Sequence, residues 1–301
     1  MSSHLAPSKP LSRSSLRHPL EIPLFVFMVV LNALIIAVII NAAVVLPFLP
    51  EALKASDWAV AIRVAIVGLL LLLPALIVVR ETQRAGVRGT AVQLSERQFP
   101  DLYQTAEDFA DRIGLRRRPQ IFLSNGNGAL NAFAAQAAGH DYVVLSNELF
   151  VNLYDNNRDG LRFILGHELG HIRFHHVALW YQLVVAYSQR IPLLGPALSR
   201  LREYSCDGQG AVLSPQGATG LVLLASGRYT ENAVDLDELV RQGRELHGFW
   251  VGLTQLPRSH PFTVRRLERL YRLGMFDSTL TTLTDAAGPS SSMRTPDSAT
   301  T

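Results

Sequence analysis

The segment His167-Glu168-Leu169-Gly170-His171 places two imidazoles four residues apart, with a carboxylate beside the first. Residues four apart on a helix share a face, so both rings can bind one ion while Glu168 serves as general base toward a metal-bound water. Two His ligands and an adjacent base are the parts of zinc-dependent hydrolysis. Gly166 and Gly170 interrupt this stretch where alanine is more favourable by about 1 kcal/mol each, which predicts that something packs or binds close to that backbone.

A single cysteine, Cys206, excludes an intramolecular disulfide and a thiolate zinc ribbon and points to a reducing compartment. The metal must therefore be held by His and carboxylates, and Cys206 reads as a small buried residue. A third ligand is required. A third His with a preceding Gly in the metzincin spacing is excluded, because Phe174 and Val177 occupy those positions. Glu203 and Asp207, one helical turn apart, can share a face, with Glu203 to the metal and Asp207 orienting a His ligand. The competing reading of this pair is a solvated acidic face.

The elements that must hold these residues follow from periodicity. Leu161, Ile164, Leu165, Leu169 and Ile172 recur at helical spacing through His176, after a turn-like Asp155-Asn156-Asn157. An amphipathic helix is predicted from Phe99 to Ile113. Short β-favouring runs stand at Pro119–Leu123 and Tyr142–Leu145, separated by Asn125-Gly126-Asn127-Gly128 and a small-residue stretch beginning Asn131-Ala132-Phe133-Ala134. From Asn147 onward the chain reads as helix, so the class is α+β, dominated by helices.

No charged residue occurs from Ile22 to Pro50, and Trp58–Val79 carries only Arg63, with Pro74 expected to kink it. The pair reads as a two-helix transmembrane hairpin (22–48 and 58–79) within residues 21–90. Lys9, Arg13 and Arg17 before it, and Arg80, Arg84 and Arg88 after it, place both flanks in the cytoplasm. A cleaved signal peptide is disfavoured by the length of the first apolar run. Asn32 and Asn41 within that run carry no assigned role. Residues 1–20 then form a cytoplasmic tail, 91–277 the metallopeptidase domain, and 278–301, rich in Thr, Ser and Pro, a disordered tail. The net charge of +3 with scattered Arg argues against nucleic acid as a partner.

Together these segments resemble the HtpX and CAAX-prenyl-protease type of membrane zinc metallopeptidase, a gluzincin group, over roughly Pro119–Leu270 and the hairpin. Asn131-Ala132-Phe133-Ala134, Tyr142-Val143-Val144-Leu145 and His167–His171 stand in the family's order; Glu203 and Asp207 match its Glu-xxx-Asp, and His260-Pro261 with Arg266 its later His-Pro and Arg. The resemblance implies a zincin-like domain holding one zinc through His167, His171 and Glu203. It also implies Glu168 as base, His260 at the oxyanion, and Arg266 supporting Asp207 or the ligands. On the residues alone, Ser259-His260-Pro261 also reads as a helix start. Phe262 and Cys206 depart from the family's Pro and Ala without removing a ligand, and Val177–Arg200 is short and broken where the family often carries a second hairpin, which leaves open a position on the membrane surface rather than a crossing. The resemblance offers His175 and His176 no role; they read as supporting or surface residues.

The expected activity is hydrolysis of peptide bonds in membrane-associated or misfolded proteins at the cytoplasmic side of a bacterial-type membrane. Tyr142, Val143, Val144 and Leu145 are expected to form an edge strand that holds extended substrate. An intramembrane protease is opposed by Arg158, Asp159, Arg162, Arg173, His175 and His176 around the motif. A zinc-containing scaffold or chaperone-like protein is opposed by the intact Glu168. The sequence carries no signal for an oligomeric state.

Overall fold

Long apolar runs fold as two long helices in the computed structural model, which describes residues 16–230 and 233–276. Helix α1 (Glu21–Val45) continues as a turn to Phe48, giving an apolar span of 28 residues that contains an 18-residue window of mean hydropathy 2.9. At 1.5 Å per residue it is about 42 Å long, enough to cross a hydrocarbon core. Val26, Phe27, Val30, Leu34 and Val38 on it are exposed. Helix α2 (Asp57–Thr90) packs against α1 and bends by 41° at Pro74, whose ring removes one main-chain donor and crowds the preceding turn. Arg63 turns back to donate to Lys54 O at 2.8 Å. By length and composition α1 qualifies as a membrane span by itself and α2 only as a bent pair. Lys9, Arg13 and the two expected tails, apart from residues 16–20, lie outside the described residues.

The sheet contains β1 (Val92–Gln93), β2 (Gln120–Ser124), β3 (Ala132–Ala137) and β4 (His140–Ser146), in the order β1-β2-β4-β3. Strands β2 and β4 run parallel, and the other pairs are antiparallel. The expectation that Tyr142–Leu145 forms an edge strand is corrected here. Those residues lie in β4, hydrogen-bonded to β2 on one side and β3 on the other, and all four are buried. The edge beside β4 belongs to β3, whose alanines signal strand weakly and which forms because β4 offers it a ladder.

Helix α3 (Pro100–Arg112) covers the sheet with Leu102, Ala106 and Phe109. Helix α4 (Asn147–Asn156) starts at Ser146, whose side chain accepts from Leu149 N–H. Helix α5 (Arg158–Arg173) starts at Asn157, whose side chain accepts from Gly160 N–H at 2.8 Å. Helices α6 (Leu179–Leu183), α7 (Leu194–Leu213), α8 (Gly220–Ser226), α9 (Leu236–Glu245), α10 (Phe249–Gln255) and α11 (Thr263–Arg272) follow along the chain. Phe163, Leu165 and Leu169 of α5 are fully buried with Leu145, Leu149 and Leu153.

Helix α7 crosses α5 at its glycines. A Cβ on Gly166 meets Gly210 Cα at 3.2 Å, and one on Gly170 meets Cys206 Cα at 3.3 Å. The expected close approach at these glycines is thus another helix backbone. The 179–198 region packs along α1: Phe25 stacks on Tyr181 at 4.2 Å, Met28 meets Val185 and Leu198, and Asn32 Oδ1 accepts from Tyr187 N–H at 2.8 Å. From α2, Arg80 donates to Gln136 O (2.7 Å), Gln182 Oε1 (3.1 Å) and Val177 O.

Candidate metal centre and catalytic cleft

The α5–α7 crossing brings one face of each helix together. His167 and His171 project from α5, and Glu203, four residues before Asp207 on α7, faces them. Glu203 Oε2 lies 3.5 Å from His167 Nε2, and Glu203 Oε1 lies 3.4 Å from His171 Nε2. Tetrahedral zinc with ligand bonds near 2.0–2.1 Å separates its ligand atoms by about 3.4 Å, so these spacings fit zinc with one position left for water or substrate. All three ligand atoms lie within 4.8 Å of one another.

Protonation agrees with a site built around a cation. Burial alone would lower the His167 imidazole, but its hydrogen bonds to Asp207 and Glu203 reverse the sign and raise it to about 10. Burial opposes the charge on Glu203, yet His167, His171 and His260 hold its carboxyl well below the usual range. The proton on His167 occupies the role that a metal ion takes over on binding.

Around these groups stands a supporting layer. Asp207 Oδ1 faces His167 Nδ1 at 3.0 Å, which fixes the ring and turns Nε2 toward Glu203. Arg266 of α11 grips Asp207 with two donors, Nε to Oδ2 at 2.9 Å and Nη2 to Oδ1 at 2.6 Å. Burial opposes the Asp207 charge, and the guanidinium overrides it and lowers its pKa. His260, in the loop before α11, places Nδ1 3.2 Å from Glu203 Oε2, and that carboxylate raises the imidazole above its ordinary value.

Glu168 is buried and lines the same cleft, of about 350 Å³. The opposite wall is β3, through Asn131 to Ala134. Ser146 N–H donates to Asn131 O at 2.8 Å, so the ladder to β4 uses the odd-numbered residues of β3. The main-chain groups of Ala132 and Ala134 therefore point away from the sheet. Gln136, in the same phase, spends its outward carbonyl on Arg80.

The family model of Peptidase family M48 matches residues 96–273, more than half of the chain. The chain belongs to peptidase family M48. His167, Glu168, His171, Glu203, Asp207, His260 and Arg266 all fall within the M48 region, which begins after the two apolar helices. Among similar proteins, the "Protease HtpX homolog" of Streptococcus pneumoniae strain Taiwan19F-14 and that of serotype 4 strain ATCC BAA-334 / TIGR4 are each 28% identical over 195 residues, covering 58% of this chain. The alignment spans 63% of those relatives' length. No solved structure matches the chain.

The sequence-predicted residues thus meet in one place, except the Tyr142–Leu145 strand, which lies one strand behind the cleft wall. Three positions have a larger part in the structure than their sequence signals gave them. His176, one residue beyond an exposed His175, is buried, and burial holds it neutral with a pKa of about 3. Glu21 opens an apolar helix with no charge after it, and Asn32 sits inside the same run; a polar residue in that setting is the only signal either carries.

Proposed function

We propose that this M48 member is a membrane-anchored, zinc-dependent endopeptidase that cleaves membrane-associated or misfolded proteins on the cytoplasmic side. The observation that carries the reading is the convergence of His167 Nε2, His171 Nε2 and the Glu203 carboxylate at zinc-ligand spacing, with Glu168 in the same cleft. Zinc bound there supplies the Lewis acidity that polarises a scissile carbonyl and acidifies the attacking water.

The chain's own residues do the rest. Glu168 accepts the proton of the attacking water and delivers it to the departing amine. His260, engaged with Glu203 through Nδ1, keeps its other ring nitrogen for the developing oxyanion. Extended substrate pairs with the outward main-chain groups of Ala132 and Ala134 on β3, which brings its scissile bond across the cleft from α5. Asp207 and Arg266 keep His167 in one tautomer. Helices α1 and α2 cross the bilayer as a two-pass hairpin, and the basic residues at its ends favour a cytoplasmic catalytic domain.

The test compares the detergent-solubilised protein with Glu168→Gln for zinc content and for cleavage of casein. Zinc in both with cleavage only in the parent is expected. Zinc in both with cleavage in neither favours the scaffold reading, and zinc in neither refutes the metal centre.

A further inference from the structure

We propose that Glu21, the first residue of α1, is a positioning residue for His171, acting through His176. The inference rests on His171 being a metal ligand, as argued above. Glu21 is fully buried, and its carboxylate accepts from three side chains: Arg17 Nη1 at 2.5 Å, His176 Nε2 at 3.0 Å, and Ser205 Oγ on α7. Arg17 also donates to Phe174 O at 3.0 Å, and His18 N–H donates to Ser205 Oγ at 2.8 Å, so the start of α1 is fastened to the end of α5 and the middle of α7.

Hydrogen-bond parity then runs from Glu21 to the metal centre. An ionised carboxylate only accepts, so His176 must carry a proton on Nε2. His176 Nδ1 faces His171 Nδ1 at 3.2 Å, two ring nitrogens that share one proton, and a His171 that binds the metal through Nε2 carries that proton on Nδ1. That nitrogen must be the donor. His171 therefore has its proton on Nδ1 and turns an unprotonated Nε2 to the metal side, the form a zinc ligand needs. His167 receives the same instruction directly from Asp207, at 3.0 Å on the neighbouring helix. The two imidazoles are thus set by two carboxylates, one within the catalytic domain and one on the membrane helix.

His171, His176 and Cys206 also lie close enough to bind a metal themselves, with Cys206 Sγ 3.7 Å from His176 Nδ1. That alternative uses the His176 nitrogen that the relay assigns to His171 and, with His171 also on the first zinc, strips His171 of both ring protons, leaving Glu21 to orient His176 alone.

The test uses the full chain in detergent, with zinc affinity read by competition with a chelator. Glu21→Ala and His176→Ala are each expected to weaken zinc binding about 10–100-fold. The double variant is expected to be no weaker than His176→Ala alone. Glu21→Gln is expected to stay within about threefold of the parent. Arg17 and His176 both use Oε1, which the amide retains, and the amide nitrogen can donate to Ser205 Oγ. On ¹⁵N-histidine-labelled, zinc-loaded protein, the His171 Nδ1–H signature is expected in the parent and in Glu21→Gln and is expected to be exchange-broadened or lost in Glu21→Ala. Unchanged zinc affinity in a folded Glu21→Ala, or strictly additive losses in the double variant, overturns the relay alone. A second zinc ion per chain that disappears in Cys206→Ala overturns it in favour of the cysteine site. A parent chain that binds no zinc removes the relay and the proposed function together.

Discussion

Breaking the Asp207–Arg266 pair separates what holds the fold from what holds the metal. Asp207 is 1% and Arg266 8% exposed, and two hydrogen bonds of 2.9 and 2.6 Å join them. Asp207→Ala leaves a buried guanidinium whose nearest remaining carboxylate among the described residues is Glu203, 3.6 Å from Nη1. Removing one partner of a buried pair costs about 3–5 kcal/mol, a large share of the roughly 5–15 kcal/mol that holds a domain together. Arg266→Leu strands Asp207 against His167 alone and costs a similar amount. Removing both charges leaves neither stranded, so the double variant is expected to fall short of the summed single losses by about 3 kcal/mol or more. Urea unfolding of chelator-treated, detergent-solubilised protein, followed by tryptophan fluorescence, reads these stabilities without a contribution from bound zinc. Zinc affinity behaves differently: all variants lacking Asp207 lose about 10–100-fold because His167 loses its orienting acceptor. Stability restored in the double variant with affinity still lost is the expected pattern. A double-variant loss equal to the sum of the singles, or a cost below about 1 kcal/mol for Asp207→Ala, refutes the reasoning.

Gly170→Val pushes side-chain atoms into the backbone of α7 at Cys206, and a loss of roughly 2–3 kcal/mol in the same urea assay, with weakened zinc binding, is expected. Ala134→Pro removes an outward N–H of β3 without taking a ladder donor, so casein cleavage should fall while zinc content and unfolding midpoint hold; unchanged turnover would count against β3 as the substrate strand. In the zinc-free protein His167 titrates at about 10, so it is protonated at pH 8 and zinc must displace that proton. Calorimetry at pH 8 in two buffers of different ionisation enthalpy should therefore register about one proton released per zinc, falling toward zero as the pH rises through that value.

Much of the centre was legible because its parts are local. The four-residue spacing of His167 and His171, and of Glu203 and Asp207, is helical geometry written in the sequence, and the two glycines in α5 announced a close neighbour. His260 and Arg266 came from family resemblance, since no periodicity links a loop histidine to a helix about ninety residues earlier. The cleft wall was misplaced by one strand: Tyr142–Leu145 has the strong β-formers, and strength of propensity marks an interior strand as readily as an edge. The bond from Glu21 to His176 spans 155 residues and joins two segments with separate periodicities, so nothing short of the folded chain reveals it.

Arg80 holds the outward carbonyl of β3 from one apolar helix, while Glu21 is fastened beneath α5 from the other. Both helices are thus tied to opposite sides of the cleft. In the proposed topology its height above the bilayer is a constant of the fold, and the enzyme measures with it. An extended chain advances about 3.3 Å per residue, so a substrate leaving the membrane is cut at a set count beyond its last embedded residue. Sequence preference is then secondary to distance, and lengthening a substrate's juxtamembrane stretch should move the cut site along its sequence while its distance from the membrane stays the same.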